Sequence, residues 1–271
     1  LALRNIALES FRMFLLEQDR LDQSAAAGTG LEFTPQMVTG IFWAMIAADL
    51  LQDLEYQIRP YEVNAGDTDR IAKESVAYLQ DVFRKAPAIG GKRSGVLWYL
   101  LTPHFTRALR EVFQRYAAIE VDRLRVKPLV KITGEFYLQT VEGDPNYNIH
   151  RWLEAEGAEV YPAAITVWID YLMRLAAQDL EDRIGLRKGA CTKLALLNMT
   201  KGLLRANYDR MRKALGGLPR ELPRQEELRE LARPYYHSRL NGGEGDMLVG
   251  KALWAHLHKK AHQPLEHLIL T

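Results

Sequence analysis

Cysteine is nearly absent: Cys191 is the only one in 271 residues. One thiol excludes an internal disulfide and any metal centre built from several thiolates of this chain. A lone cysteine is expected to pack as a small apolar side chain rather than to react. Long hydrophobic runs are missing too. No stretch approaches the roughly 20 apolar residues that cross a bilayer, and no basic, apolar, small-residue leader opens the chain, so a cytoplasmic location with no membrane partner is expected. Nor does charge of one sign dominate: 36 Lys and Arg nearly cancel 34 Asp and Glu, which leaves no strong field to draw nucleic acid. What remains is an ordinary globular composition, 48% hydrophobic and 26% charged. The length suits one large domain or two modest ones.

Helical periodicity fills most of the chain. Leu3, Ile6, Ala7, Phe11, Phe14 and Leu15 recur near the helical period, and residues 24–30 form a small-residue linker. Pro35 opens a second helix over 35–58 with Ile41, Phe42, Ile46, Leu50 and Leu54 on its apolar face. Arg59-Pro60 ends it, because the residue before proline is driven out of helical geometry. Asp67 or Thr68 is expected to cap a third helix that turns Ile71, Val76, Leu79 and Phe83 inward. Residues 88–94 read as a flexible turn; their GGKRS lacks the GxxxxGK[ST] spacing of a phosphate loop, and no strand precedes it. A helix over 105–118 follows. Later, Val167, Trp168, Tyr171, Leu172 and Leu175 make an amphipathic helix, glycines at 185 and 189 interrupt it, and a long helix covers 193–215. The basic residues of that helix, Lys201, Arg205, Arg210, Arg212 and Lys213, read as a solvated surface. A short charged helix over 224–233 comes next.

The stretch 126–171 differs. Val130 and Ile132 sit in a short apolar strand that stops at Gly134. Asp144 as cap and Pro145 at the first helical position open a helix with Ile149, Trp152 and Leu153 on one side, and Gly157 ends it. Residues 158–165 offer a second strand, short or at an edge because of Pro162. This is the length of a βαβ unit. The expected class is therefore α/β and helix-rich: a helical part over 1–120, then 121–271 with a small parallel sheet and flanking helices.

Ligands of open α/β sheets bind outside the carboxyl ends of the strands, which places a candidate site in the loop 134–146. Glu135, Thr140, Glu142, Gly143, Asp144 and Asn146 bring more hydrogen-bonding capacity than a plain connection needs; capping accounts for Asp144 alone. A second glycine-rich corner, 241–246, runs directly into a helix over 247–261. Amides at such a start can converge on a negative group, with Gly243, Glu244 and Lys251 as candidate ligand residues. Glu244 and Asp246 oppose a phosphate there unless Lys251 or a metal balances them, and a turn capped by Asp246 is the plainer account. His258 and His262 stand one helical turn apart. HKKAH, however, lacks the glutamate of HExxH and sets two lysines where a cation would sit, so no metal site is expected. No residue pair shows a nucleophile–base pattern, and catalytic residues stay unassigned.

Three ordered blocks, AADLLQDLEYQIRPYE at 47–62, VKITGEFYLQTVEGDPNYNIHRWLEAEGAEV at 130–160 and GGEGDMLVGKALWAHLHKKAH at 242–262, resemble the acyl-CoA dehydratase activase-related proteins. Those are relatives of the 2-hydroxyacyl-CoA dehydratase and benzoyl-CoA reductase systems. The resemblance implies an iron–sulfur system in which an actin-like ATPase activase domain or subunit drives an electron at low potential towards an acyl-CoA enzyme. It implies a [4Fe–4S] cofactor held by cysteines, and a dehydratase-type α/β domain for the middle block. The chain departs from that pattern: Cys191 cannot hold a cluster by itself, and where the family carries a cysteine-bearing segment this sequence reads QPLEHLILT. Either flanking sequence supplies the cysteines, this chain being a fragment, or the cluster has been lost; a start at Leu1 inside a helical pattern favours the fragment. The alternative function is a non-catalytic ligand-binding or protein-docking module whose polar loop receives its partner.

Overall fold

The computed structural model describes residues 35–86, 92–133, 139–237, 239, 244–262 and 267–270. The helical pattern at 3–15 and the linker at 24–30 lie outside the described residues. Helix α1 (Pro35–Ile58) is the central element, and a single 3-10 turn, Arg59–Tyr61, continues from it. Trp43, Ile46, Leu50 and Leu54 are fully buried, whereas Ile41, expected inward, is exposed. By length and composition alone α1 could cross a membrane, a property the reading of short apolar runs missed; here its apolar face forms the main core.

Helix α2 (Asp67–Arg84) starts where expected, but neither Asp67 nor Thr68 caps it. Glu62 does so instead, its carboxylate accepting from the Gly66 and Thr68 amides at 2.7 and 2.8 Å. Val76 points to solvent rather than inward. Helix α3 (Lys92–Leu101) takes in residues 92–94, which had read as a turn; residues 87–91 lie outside the described residues. Helix α4 (His104–Ala117) brings Phe105 against Trp43, Phe83 and Tyr99, with ring centroids 5.3, 4.5 and 5.2 Å away. Helix α7 (Ala190–Ala214) closes the same core with Leu204, Tyr208 and Met211, so the early helices and the later chain share one interior.

Three short parallel strands form the sheet: β1 (Leu129–Ile132) in the middle, β2 (Glu159–Tyr161) on one side and β3 (His267–Leu270) on the other. Leu129 stands opposite Glu159 and His267. The fold is thus helix-rich α/β with a small parallel sheet, although the third strand, from the QPLEHLILT segment, was not anticipated. Between β1 and β2 the expected helix start moves. Asp144 and Pro145 enter a 3-10 turn, Asp144–Asn146, and Tyr147 and Asn148 then take positive φ of 58° and 52°. Only after them does α5 (Ile149–Ala155) begin. Asp144 accepts from the Asn148 side chain at 3.0 Å instead of from a helix amide. Leu153 packs against Val130, Ile132, Val160 and Tyr56, but Trp152 faces outward, 54% exposed. Gly157, at φ 92°, ends the helix as its lack of a side chain allows.

β2 stops before Pro162, and α6 (Ile165–Asp182) follows at once, so the strand is shorter than 158–165. Asp49 of α1 caps α6: its carboxylate accepts from the amides of Ile165 and Thr166 at 2.9 and 2.7 Å, and from the Thr166 hydroxyl. The basic residues of α7 are not a plain solvated face. Arg205 donates to Asp170 and to the Pro223 carbonyl, Arg210 to the carbonyls of Leu100 and Thr102, and Arg212 to that of Pro219. These bonds tie turns that the sequence alone does not bring near the helix. Cys191, expected to be packed, is exposed near the start of α7. Helix α8 (Gln225–Ala232) and helix α9 (Gly245–His262) complete the fold.

Candidate functional site

Beside β1 and the carboxyl end of β2 lies a cavity of about 30 Å³, room for roughly one or two waters. Its wall gathers Asp49 and Asp53 from α1, Lys131 from β1, Tyr161 from β2, Arg220 from the turn before α8, and Lys251 and Trp254 from α9.

Two of these side chains are lysines buried to 5% and 6% exposure, Lys131 and Lys251. Lys131 donates to the Pro162 carbonyl at 2.8 Å and lies over the Tyr161 ring, 3.8 Å from its centroid; Arg220 lies over the same ring at 4.5 Å. Lys251 donates to Gln139 at 2.9 Å. Neither ammonium has an ion-pair partner among the described residues, because the nearby acids are engaged elsewhere: Asp49 with the start of α6, Asp53 with the backbone amide and guanidinium of Arg220, and Glu159 with the other arm of Arg220. Burial pushes Lys131 far below the ordinary lysine range, and the charges of Lys251 and Arg220 push it further. Burial brings Lys251 from 10.5 down to about 8, with Glu244 opposing the shift. Burial likewise raises Asp49 to about 6 against its bonds to Thr166 and Ile165.

A lysine buried in this way works against folding near neutral pH. Above pH 10.5 Lys251 is neutral in folded and unfolded chains alike; as pH falls from 10.5 towards about 8 the unfolded chain binds a proton that the folded one resists, so stability is lost across that window and the loss is complete below it. The displacement is worth about 3 kcal/mol at pH 7, and the bond to Gln139 offsets about 1. Lys251→Met is therefore expected to stabilise the protein by about 2 kcal/mol at pH 7. Urea midpoints at pH 7 and pH 9 check this: the wild type gains stability with rising pH, and the variant gains only the part that Lys131 contributes.

The residues of the polar loop are distributed less compactly than the sequence suggested. Glu135 and Gly243 lie outside the described residues. Glu142 does not turn to the cavity; it accepts from Gln52 and from the Tyr56 hydroxyl, both at 2.7 Å, and so pins the loop to α1. Gly143 sits at φ 87° and ψ −152°, and its carbonyl accepts from the amides of Asn146 and Asn148. Thr140 is half-buried and Asp144 exposed. Asn146 is fully buried, with its amide nitrogen on the Val141 carbonyl and 3.0 Å from His150 Nδ1. As both hydrogens of that nitrogen are donated, neutral His150 carries its own proton on Nε2, and burial holds its pKa below the usual histidine value. Asp246 is the buried partner of Arg174, not an exposed ligand, and Glu244 accepts from the Trp168 indole. Of the described site candidates, Lys251 alone lines the cavity, and its bond to Gln139 links the glycine corner's helix to the polar loop. Since Tyr56 is 1% exposed, Glu142→Ala leaves a buried hydroxyl without its acceptor. The expected cost is about 1–2 kcal/mol in chemical denaturation, and Glu142→Gln, which keeps an acceptor, costs less.

Lys131, Asp49, Asp53, Tyr161 and Arg220 were missed. Signals existed for three of them. A lysine between Val130 and Ile132 breaks a strand that should be apolar throughout if both faces are covered, and carboxylates at 49 and 53 share one stripe of an otherwise apolar helix. Nothing in the sequence pointed to Tyr161 or Arg220.

No protein-family model, curated protein or solved structure matches this chain. Among the described residues no group of three His, Cys, Asp or Glu side chains is placed to hold a metal. A [4Fe–4S] cluster does not fit the residues of this chain, whose single thiol is the exposed Cys191.

Proposed function

We propose that this chain is the activase-related component of an ATP-activated iron–sulfur acyl-CoA dehydratase or reductase system, working in the cytoplasm with an actin-like ATPase and an acyl-CoA enzyme. The observation that supports this reading is convergence. Each of the three separate sequence blocks that resemble the family contributes to the one cavity: Asp49 and Asp53 from the first, Lys131 from the second, Lys251 and Trp254 from the third. Blocks that merely built structure would have no need to meet at charged side chains. The cluster chemistry would belong to thiolates outside this sequence, and this chain's part is to present the cavity and the polar loop beside it. The test is to purify the full product of the gene without oxygen and assay iron, acid-labile sulfide and ATP-dependent reduction. Iron and sulfide in stoichiometric amount are expected; a full-length product with neither ends the electron-transfer role.

A non-catalytic docking or ligand-binding module is the second reading. The loop favours it in one respect: the bonds of Glu142, Asp144, Asn146 and Asn148 run to the protein itself, as in a recognition loop held in shape rather than a reactive one.

A further inference from the structure

We infer that the cavity between Lys131 and Lys251 is a binding site for a short-chain monocarboxylate, the carboxylate held by the two ammonium groups and the hydrocarbon end lying against Trp254, Val167 and Leu222. Two buried lysines from distant segments line one space, and among the described residues each meets only neutral partners, the Pro162 carbonyl and Tyr161 ring for Lys131 and the Gln139 side chain for Lys251. Buried cations are ordinarily paired. Among the described residues the acids around the cavity do not fill that role, because Asp49 is spent on the α6 amides, Asp53 and Glu159 on Arg220, Glu221 on Arg212, and Glu244 on the Trp168 indole. An anion is the missing partner.

Size and lining select the class of anion. A cavity of about 30 Å³, with room for one or two waters, takes one flat carboxylate head more readily than the bulkier tetrahedral phosphate. The lining also includes the apolar Val167, Leu222 and Trp254, which suit the short hydrocarbon end of a small carboxylate. The inference stands apart from the acyl-CoA reading, since it uses only the cavity and its charges; a protein free of iron would leave it intact.

The test is calorimetric titration and thermal-shift measurement with sodium acetate, propionate and butyrate at constant ionic strength set by chloride. Inorganic phosphate and acetamide serve as comparison ligands, and Lys131→Met and Lys251→Met as variants. Saturable carboxylate binding is expected, with no saturable binding of acetamide and weaker binding of phosphate. Each variant should lose about thirtyfold in affinity, as when one partner of a desolvated charge pair is removed, while Lys251→Met stays folded. At pH 8.5 carboxylate binding should take up a proton, seen as a heat that depends on the buffer, because the anion restores the charge on Lys251. No saturable binding by the wild type, phosphate bound more tightly than carboxylate, or unchanged affinity in both variants would each overturn the assignment.

Discussion

Arg59→Ala is expected to destabilise the protein by about 3–5 kcal/mol, the range for stripping one partner from a buried ion pair. The guanidinium is 6% exposed and grips Glu154 with both arms, at 2.8 and 2.9 Å, while Nη1 also reaches Glu55 and, at 3.2 Å, Asp69. Three acids on α1, α2 and α5 thus meet at one cation, and the alanine variant would leave them facing one another with Glu154 only 9% exposed. Tyr56, whose ring lies 4.8 Å from the guanidinium, loses a neighbour as well. Arg59→Lys keeps the charge but cannot fork, so an intermediate loss is expected. The cost should shrink in a double variant with Glu154→Gln, because one stranded carboxylate is removed with its partner. Urea midpoints for the four proteins decide the matter; a loss below about 1 kcal/mol would place the cluster with exposed pairs that contribute little. The position has a functional side. Glu154 lies on α5 with His150, so Arg59 sets how the helix after the polar loop stands against α1.

Where local chemistry decides a boundary, the sequence was enough. Pro35 and the Arg59-Pro60 pair delimit α1 as read, and Gly157 ends α5 because the backbone there needs a left-handed residue. The parallel pairing of β1 and β2 was legible for a related reason, since an apolar run, a helix and a second apolar run of that length leave few other arrangements. The reading failed where two local signals competed. Asp144 and Pro145 can start an α-helix or a 3-10 turn, and the left-handed pair Tyr147 and Asn148 selects the turn; no pattern marks a tyrosine for that conformation. It failed again where long-range partners decide. Arg210 looks solvated on a helical wheel, but its partners are carbonyls at 100 and 102, more than a hundred residues earlier. The cavity itself was half legible. Lys251 was singled out for its place near a glycine corner, whereas Lys131, across the same space, was hidden by the habit of reading a short strand through its apolar members.

Helices α8 and α9 approach each other at Gly250 as closely as only a glycine permits. A Cβ placed on Gly250 would lie 2.3 Å from the Leu228 carbonyl oxygen and 2.8 Å from its carbon. Both atoms are helix backbone and cannot swing aside, so relief requires α9 to move off α8. Overpacking against rigid backbone is expected to cost about 4 kcal/mol, above the usual 1–3. Alanine recovers about 1 through its better helix propensity, leaving a net loss for Gly250→Ala of about 3 kcal/mol. Gly202 supplies the control. It too lies inside a helix, α7, is exposed, and would have nothing within 4 Å of an added Cβ. Gly202→Ala should then stabilise by about 0.5–1 kcal/mol through propensity and a less mobile unfolded chain. The same chemical change with opposite signs at the two sites separates packing from propensity, and equal effects would refute the close approach of the helices. Because Lys251 follows Gly250 directly, a helix pushed off its neighbour also carries that ammonium away from Gln139. Gly250→Ala should accordingly lower affinity for any ligand of the cavity by more than its loss of stability explains at temperatures where the variant is still fully folded, and Gly202→Ala should leave that affinity unchanged.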